Sequence, residues 1–132
     1  MNFVSIRIIT ADVKRLVTFY EQATSIKAIW STDDFAEVKT RSCTLAIAHE
    51  RTMKLFAEGA AKSADNRSVI IELRVEDVDA EFRRLAPSIG KAVQEPTTMP
   101  WGNRSLLFRD PDGNLVNFFT PVTKEAVARA DG

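Results

Sequence analysis

The chain carries one imidazole, His49, and one thiol, Cys43. That inventory already limits its chemistry. A metal triad of two histidines and a carboxylate cannot be assembled from one histidine. Cys43 has no histidine or second cysteine beside it and reads as a small buried residue rather than a nucleophile. His49 sits next to Glu50 and reads as a surface histidine, with a catalytic role as the alternative. What remains is carboxylate and guanidinium chemistry set among apolar neighbours: Arg7 between Ile6 and Ile8, Glu72 between Ile71 and Leu73, and Arg74 between Leu73 and Val75. A carboxylate in such surroundings can serve as a general base or anchor a cation. The two arginines can fork onto a carboxylate or phosphate. The plainer reading stays open beside this one: Glu72 pairs with Arg7 or Arg74 and fixes a sheet. Trp101 can stack on a flat ligand or act as a buried anchor or subunit contact. Trp30 and Phe35 read as walls of a site or as core.

These residues need elements to hold them. Residues 3–9 are apolar and β-branched and predict a strand. Asp12 follows as a helix N-cap, and Val13, Leu16, Val17 and Tyr20 recur at i, i+3, i+4 and i+7, one face of a helix. Strands are then predicted over 26–30, 35–40 and 43–48. The same order returns: a strand over 68–75, Asp77 as cap, and Val78, Phe82 and Leu85 as a helical stripe ended by Pro87 and Gly90. Short strands over 91–94, 104–109 and 114–120 complete it. Asp110-Pro111-Asp112-Gly113 is a turn signal, with proline presetting φ and glycine accepting a positive one.

The two halves are therefore copies of one β-α-β-β-β pattern, with Asp77-Val78 lying 65 positions after Asp12-Val13. Each copy is too small to bury a core alone. The sequence predicts one α+β domain over 1–132, made of module 1 (about 1–50), a linker (51–66), module 2 (67–121) and a short tail (122–132) that is frayed or loosely docked. The 132 residues hold 18 basic and 18 acidic side chains, for zero net charge, and are 45% hydrophobic. This neutrality argues against general nucleic-acid binding, which needs a basic excess. No apolar run approaches the length of a membrane span. The first seven residues lack the pattern of a secretory signal. A lone cysteine suits a reducing, cytoplasmic setting.

Doubled β-α-β-β-β units resemble the vicinal oxygen chelate superfamily of glyoxalase I, extradiol dioxygenases and bleomycin-resistance proteins. The resemblance is carried by Asp12-Val13-Lys14-Arg15, Phe19-Tyr20, residues 75–80, residues 100–104 and residues 110–114, and it covers about 3–121. It implies the glyoxalase/bleomycin resistance fold, a curled mixed sheet around a central cavity, often in a homodimer. Members of that superfamily that use a metal take one ligand from each of four strands, usually histidines and glutamates. Seven residues before each capping aspartate, the usual histidine positions hold Ser5 and Ile70. The usual glutamate, four residues after Gly113, is Asn117, and the matching position in module 1 is Ala46. None of the four is a good ligand.

Strand alternation then places Ser5, Arg7, Ile70, Glu72, Arg74 and Asn117 toward the implied cavity, closed by some of Trp30, Phe35 and Trp101. The leading expectation is a protein that binds a small organic molecule with no metal or other cofactor, of the drug-sequestering kind. It is expected as a homodimer, with no nucleic-acid or membrane partner. The alternatives are a metal-independent isomerase or lyase with Glu72 as base, a metalloenzyme with relocated ligands such as His49, Glu50 and Glu72, and a structural module whose cavity is filled by its own side chains.

Overall fold

A computed structural model describes all 132 residues, Met1–Gly132. The chain divides into two compact units. The first comprises Met1–Asn66 with Pro111–Gly113, and the second Arg67–Asp110 with Asn114–Gly132.

In the first unit, β1 (Ser5–Thr10) leads into α1 (Val13–Thr24), followed by β2 (Ile29–Thr32), β3 (Phe35–Lys39) and β4 (Thr44–His49). They form one four-stranded sheet in the order β1-β4-β3-β2. The helix carries the chain across, so β4 lies parallel to β1, whereas β3 is antiparallel to both its neighbours. The second unit repeats this with β5 (Ile70–Arg74), α2 (Val78–Ile89), β6 (Gln94–Thr98), β7 (Asn103–Arg109) and β8 (Leu115–Pro121), in the order β5-β8-β7-β6. The result is an α+β chain of two β-α-β-β-β modules with two mixed sheets.

The repeat extends to the caps. The Asp12 carboxylate accepts from the Arg15 N–H at 3.1 Å, and the Asp77 carboxylate accepts from the Ala80 N–H at 3.1 Å. Each closes a donor that a helix start leaves open. The predicted stripe of α1 is buried, with Val13, Leu16, Val17, Tyr20 and Ala23 packed inward. On the sheet side it meets the row Ile8, Ile47 and Ala36, of which the last two are fully buried. In the second unit Phe108 and Phe118, both inaccessible, meet edge to face with ring centroids 5.1 Å apart. A sheet covered by a helix on one face leaves the other face for ligands, and the two faces are sorted by residue parity.

Several sequence expectations require correction. The second strand begins at Ile29 rather than 26, because Ser25 at φ +59° ends α1 and Ile26–Ala28 connect onward. The strand expected over 91–94 runs instead over Gln94–Thr98 and contains Pro96. β6 is an edge strand with a register shift between Gln94 and Thr97, where a missing N–H is tolerated. Pro87 lies inside α2, and the helix continues to Ile89 before Gly90 turns at φ +65°.

The linker contains a 3-10 helix, Glu50–Leu55. The tail is not frayed: Lys124–Asp131 form α3, capped by Thr123 and anchored through buried Ala126. Arg129 donates to the Trp101 carbonyl, and Arg74 pairs with Asp131 at 3.2 Å.

Two forked ion pairs tie elements together outside the open faces. Arg51 grips Asp34 through two bonds of 2.8 Å, and Arg104 on β7 grips Asp79 on α2 at 2.8 and 3.0 Å. The hydrogen bonds from these guanidinium groups hold both carboxyls below the usual aspartate range. A depressed folded-state value means the unfolded chain binds the proton more readily. The contribution is therefore complete above about pH 4, the unfolded range, and is lost as pH falls through the lower folded value. Arg104→Gln is expected to return Asp79 to the ordinary range, read by carboxyl carbon-13 titration. An unchanged Asp79 titration would refute this cause.

Candidate functional site

The face of the first sheet opposite α1 carries Ser5, Arg7 and Ile9 from β1, Thr44, Ala46 and Ala48 from β4, and Glu37 and Phe35 from β3, with Ile9, Ala46 and Ala48 buried and Arg7 exposed. Arg7 is its central polar group. The register aligns Arg7, Ala46 and Glu37 in one row across three strands. The guanidinium carbon of Arg7 lies over the Phe35 ring, 4.9 Å from its centroid, and over the Phe56 ring at 5.4 Å. A cation over ring faces is attracted by their quadrupoles, which restrains an otherwise mobile side chain. Arg7 has no ion-pair or hydrogen-bond partner, so its planar donors remain available.

The face of the second sheet that carries Glu72 also holds Ile70 and Arg74 from β5 and Leu115, Asn117 and Phe119 from β8, with Leu107 beside Asn117 on β7. Glu72 and Asn117 are direct cross-strand partners, and the Asn117 amide donates to Glu72 Oε2 at 2.8 Å. An ionised carboxylate only accepts, so the amide nitrogen must face it and the carbonyl points away. That carbonyl, Asn117 Oδ1, is buried without a partner. Glu72 itself is exposed, and its other oxygen makes no bond.

Of the residues the sequence singled out, the structure brings Arg7 to Phe35, with Ser5 two places along the same face, and it brings Glu72 to Asn117. Ile70 is on the Glu72 face and half exposed. The expectation that Glu72 pairs with an arginine is corrected: Arg74 turns to Asp131 at the end of α3, and Glu72 takes an amide instead. Trp30 is also corrected. Its register partner is Ala36, so it lies on the helix-covered face, opposite Arg7. Trp101 is on neither sheet. It stands in the exposed turn before β7.

His49 is a capping residue, its Nδ1 accepting from the Arg51 N–H at 3.1 Å. Cys43 is half exposed rather than buried, its thiol 3.8 Å from the Thr44 carbonyl. Phe56 and Glu37 were missed. Strand alternation from Phe35 marks Glu37, whereas Phe56 follows an irregular segment whose sequence carries no positional signal.

Within neither unit do three histidine, cysteine, aspartate or glutamate side chains gather into a group able to hold a metal ion. The four strand positions offer a hydroxyl, two hydrocarbons and a neutral amide whose nitrogen is bound to Glu72. That donor set does not fit a divalent transition metal.

Doubled modules of this topology, each a four-stranded mixed sheet with a helix on one face, define a class of protein. The Glyoxalase/Bleomycin resistance protein/Dioxygenase superfamily model matches residues 2–118, and the chain belongs to that superfamily. It is 25% identical to YraH of Bacillus subtilis (strain 168), described as uncharacterized, over 90% of this chain and 98% of that one. Its fold matches a glyoxalase/bleomycin resistance protein/dioxygenase family enzyme from Burkholderia phytofirmans PsJN, with TM-score 0.80 at 16% identity over 92% of this chain and 100% of that one. A glyoxalase-related enzyme from Fulvimarina pelagi gives TM-score 0.77 at 16% identity, covering 95% and 94%. No helix is long and apolar enough to cross a membrane.

Proposed function

We propose that this superfamily member binds a small organic molecule on its open sheet faces without the superfamily metal, as a sequestering protein does. The observation that carries the reading is the donor set: Ser5, Ala46, Ile70 and Asn117 stand where the superfamily's metal enzymes place their ligands, and they offer only a hydroxyl and a neutral amide oxygen. Apolar floor, aromatic wall and a few aimed polar groups are the usual make-up of a small-molecule site. Bleomycin fits poorly as the ligand, because sequestering a cationic drug favours an acidic protein and this chain is neutral. The reading includes a homodimer in a reducing cytoplasm.

The test is native mass spectrometry of untagged protein beside its denatured mass. The expected result is a dimer with less than about a tenth of an equivalent of metal and an added organic mass. A stoichiometric transition metal overturns the reading.

A second reading is supported by the Asn117–Glu72 bond. One carboxylate oxygen is fixed by the amide and the other is free, as a positioned general base requires. In a metal-independent isomerase or lyase, Glu72→Gln should lower turnover by about 100-fold or more. Unchanged turnover of an identified substrate eliminates this role.

A further inference from the structure

We infer that the open face of the first sheet is a receptor for a monoanionic carboxylate carried on a flat apolar body, with Arg7 as the anion contact. The inference rests on the reading of that face as a ligand surface and names the ligand's chemistry. Four observations carry it.

First, the Arg7 guanidinium is held over two rings, Phe35 at 4.9 Å and Phe56 at 5.4 Å, while its N–H edge has no protein partner. Ring contacts of this kind use no hydrogen-bond acceptor, so the guanidinium donors stay available for a carboxylate, whose two oxygens match the fork. Second, the neighbouring strand puts Thr44, Ala46 and Ala48 on this face, so no long side chain rises beside Arg7 on the β4 row, and the two alanines are themselves buried. Third, Ser5 lies on the same face two residues from Arg7, and its hydroxyl has no partner either. Fourth, Glu37 stands two strands away in the Arg7 row. Strand spacing puts their backbones about 10 Å apart. A second negative charge on the face disfavours a dianion more than a monoanion, which selects a carboxylate over a phosphate monoester.

The experiment is an NMR titration of the full chain with benzoate, benzamide and phenyl phosphate, following the Arg7 Nε–H signal and the Phe56 ring. Benzoate is expected to shift both saturably and to bind at least about tenfold tighter than benzamide. Arg7→Gln should weaken benzoate by about tenfold or more, and Arg7→Lys, which keeps the charge and loses the fork, by about threefold or more. Arg7 is exposed and unpaired, so these variants keep the fold. Phe56→Ala, outside the sheet, should weaken benzoate independently by removing one ring.

Equal binding of benzamide and benzoate overturns the carboxylate assignment while leaving the small-molecule reading of the face in place. Tighter binding of phenyl phosphate also overturns the assignment. No saturable shift with any of the three overturns both. Unchanged benzoate affinity in Arg7→Gln removes Arg7 from the site.

Discussion

Gly102→Ala is expected to destabilise the protein by about 2–4 kcal/mol, a fall of roughly 10 °C in melting temperature. Two causes act together. Gly102 sits at φ +93°, where a side chain is strained. A Cβ there would lie 2.0 Å from Thr123 Oγ1 and 2.9 Å from the Ala126 Cβ, inside contact distance. Thr123 and Ala126 are the cap and the buried anchor of α3, so neither can retreat without undocking that helix. The Gly102 carbonyl also accepts from the Val122 and Thr123 N–H groups at 3.0 and 3.3 Å, and these bonds fix the turn against the helix. Thermal denaturation with hydrogen exchange over 124–131 checks this. A melting temperature within about 2 °C of the parent, with α3 still protected, would sink the argument.

Asn117→Asp is expected to cost about 2–3 kcal/mol near pH 8 and to recover as pH falls toward about 5. The amide now donates to Glu72 at 2.8 Å, and Asn117 is only 8% exposed. An aspartate there faces a carboxylate without a donor, or keeps a desolvated charge if Glu72 swings into water. Both routes raise a carboxyl in the folded state above its unfolded value. The folded state then binds the extra proton, so stability is full below the unfolded carboxyl value, falls as pH rises from there through the raised folded value, and is restored on acidification.

Asn117→Leu is the contrasting control. It deletes the buried orphan carbonyl, leaves exposed Glu72 to water, and is expected to be neutral or slightly stabilising. Urea unfolding across pH 5–8 measures both variants. A pH profile for Asn117→Asp parallel to the parent's would show that the pair is not coupled.

The candidate site was legible in the sequence where it depends on residue parity. Ser5 and Arg7 share a face, and so do Glu72 and Arg74, because a strand turns its side chains by a fixed half-turn per residue. The aspartate caps and the stripe from Val13 to Tyr20 were legible for the same kind of reason, since a helix brings together residues only three or four apart. Parity does not transfer across an irregular turn. Trp30 lies on the far face of its sheet because β2 starts three residues later than its apolar run suggests and shifts register before Thr32.

What the sequence determined by itself is therefore the doubled β-α-β-β-β order, the faces of β1 and β5, and the residue types, Ser5, Ala46, Ile70 and Asn117, at the four positions compared with the superfamily's ligands. Tertiary structure alone decided that Phe56 stands over Arg7, that Arg74 leaves Glu72 for Asp131, and that a polar tail becomes a helix seated on Gly102. These pairs are 21 to 57 residues apart in the chain. Local periodicity carries information over a few residues only, and such partners are chosen by packing and by which donors remain open once the sheets have formed.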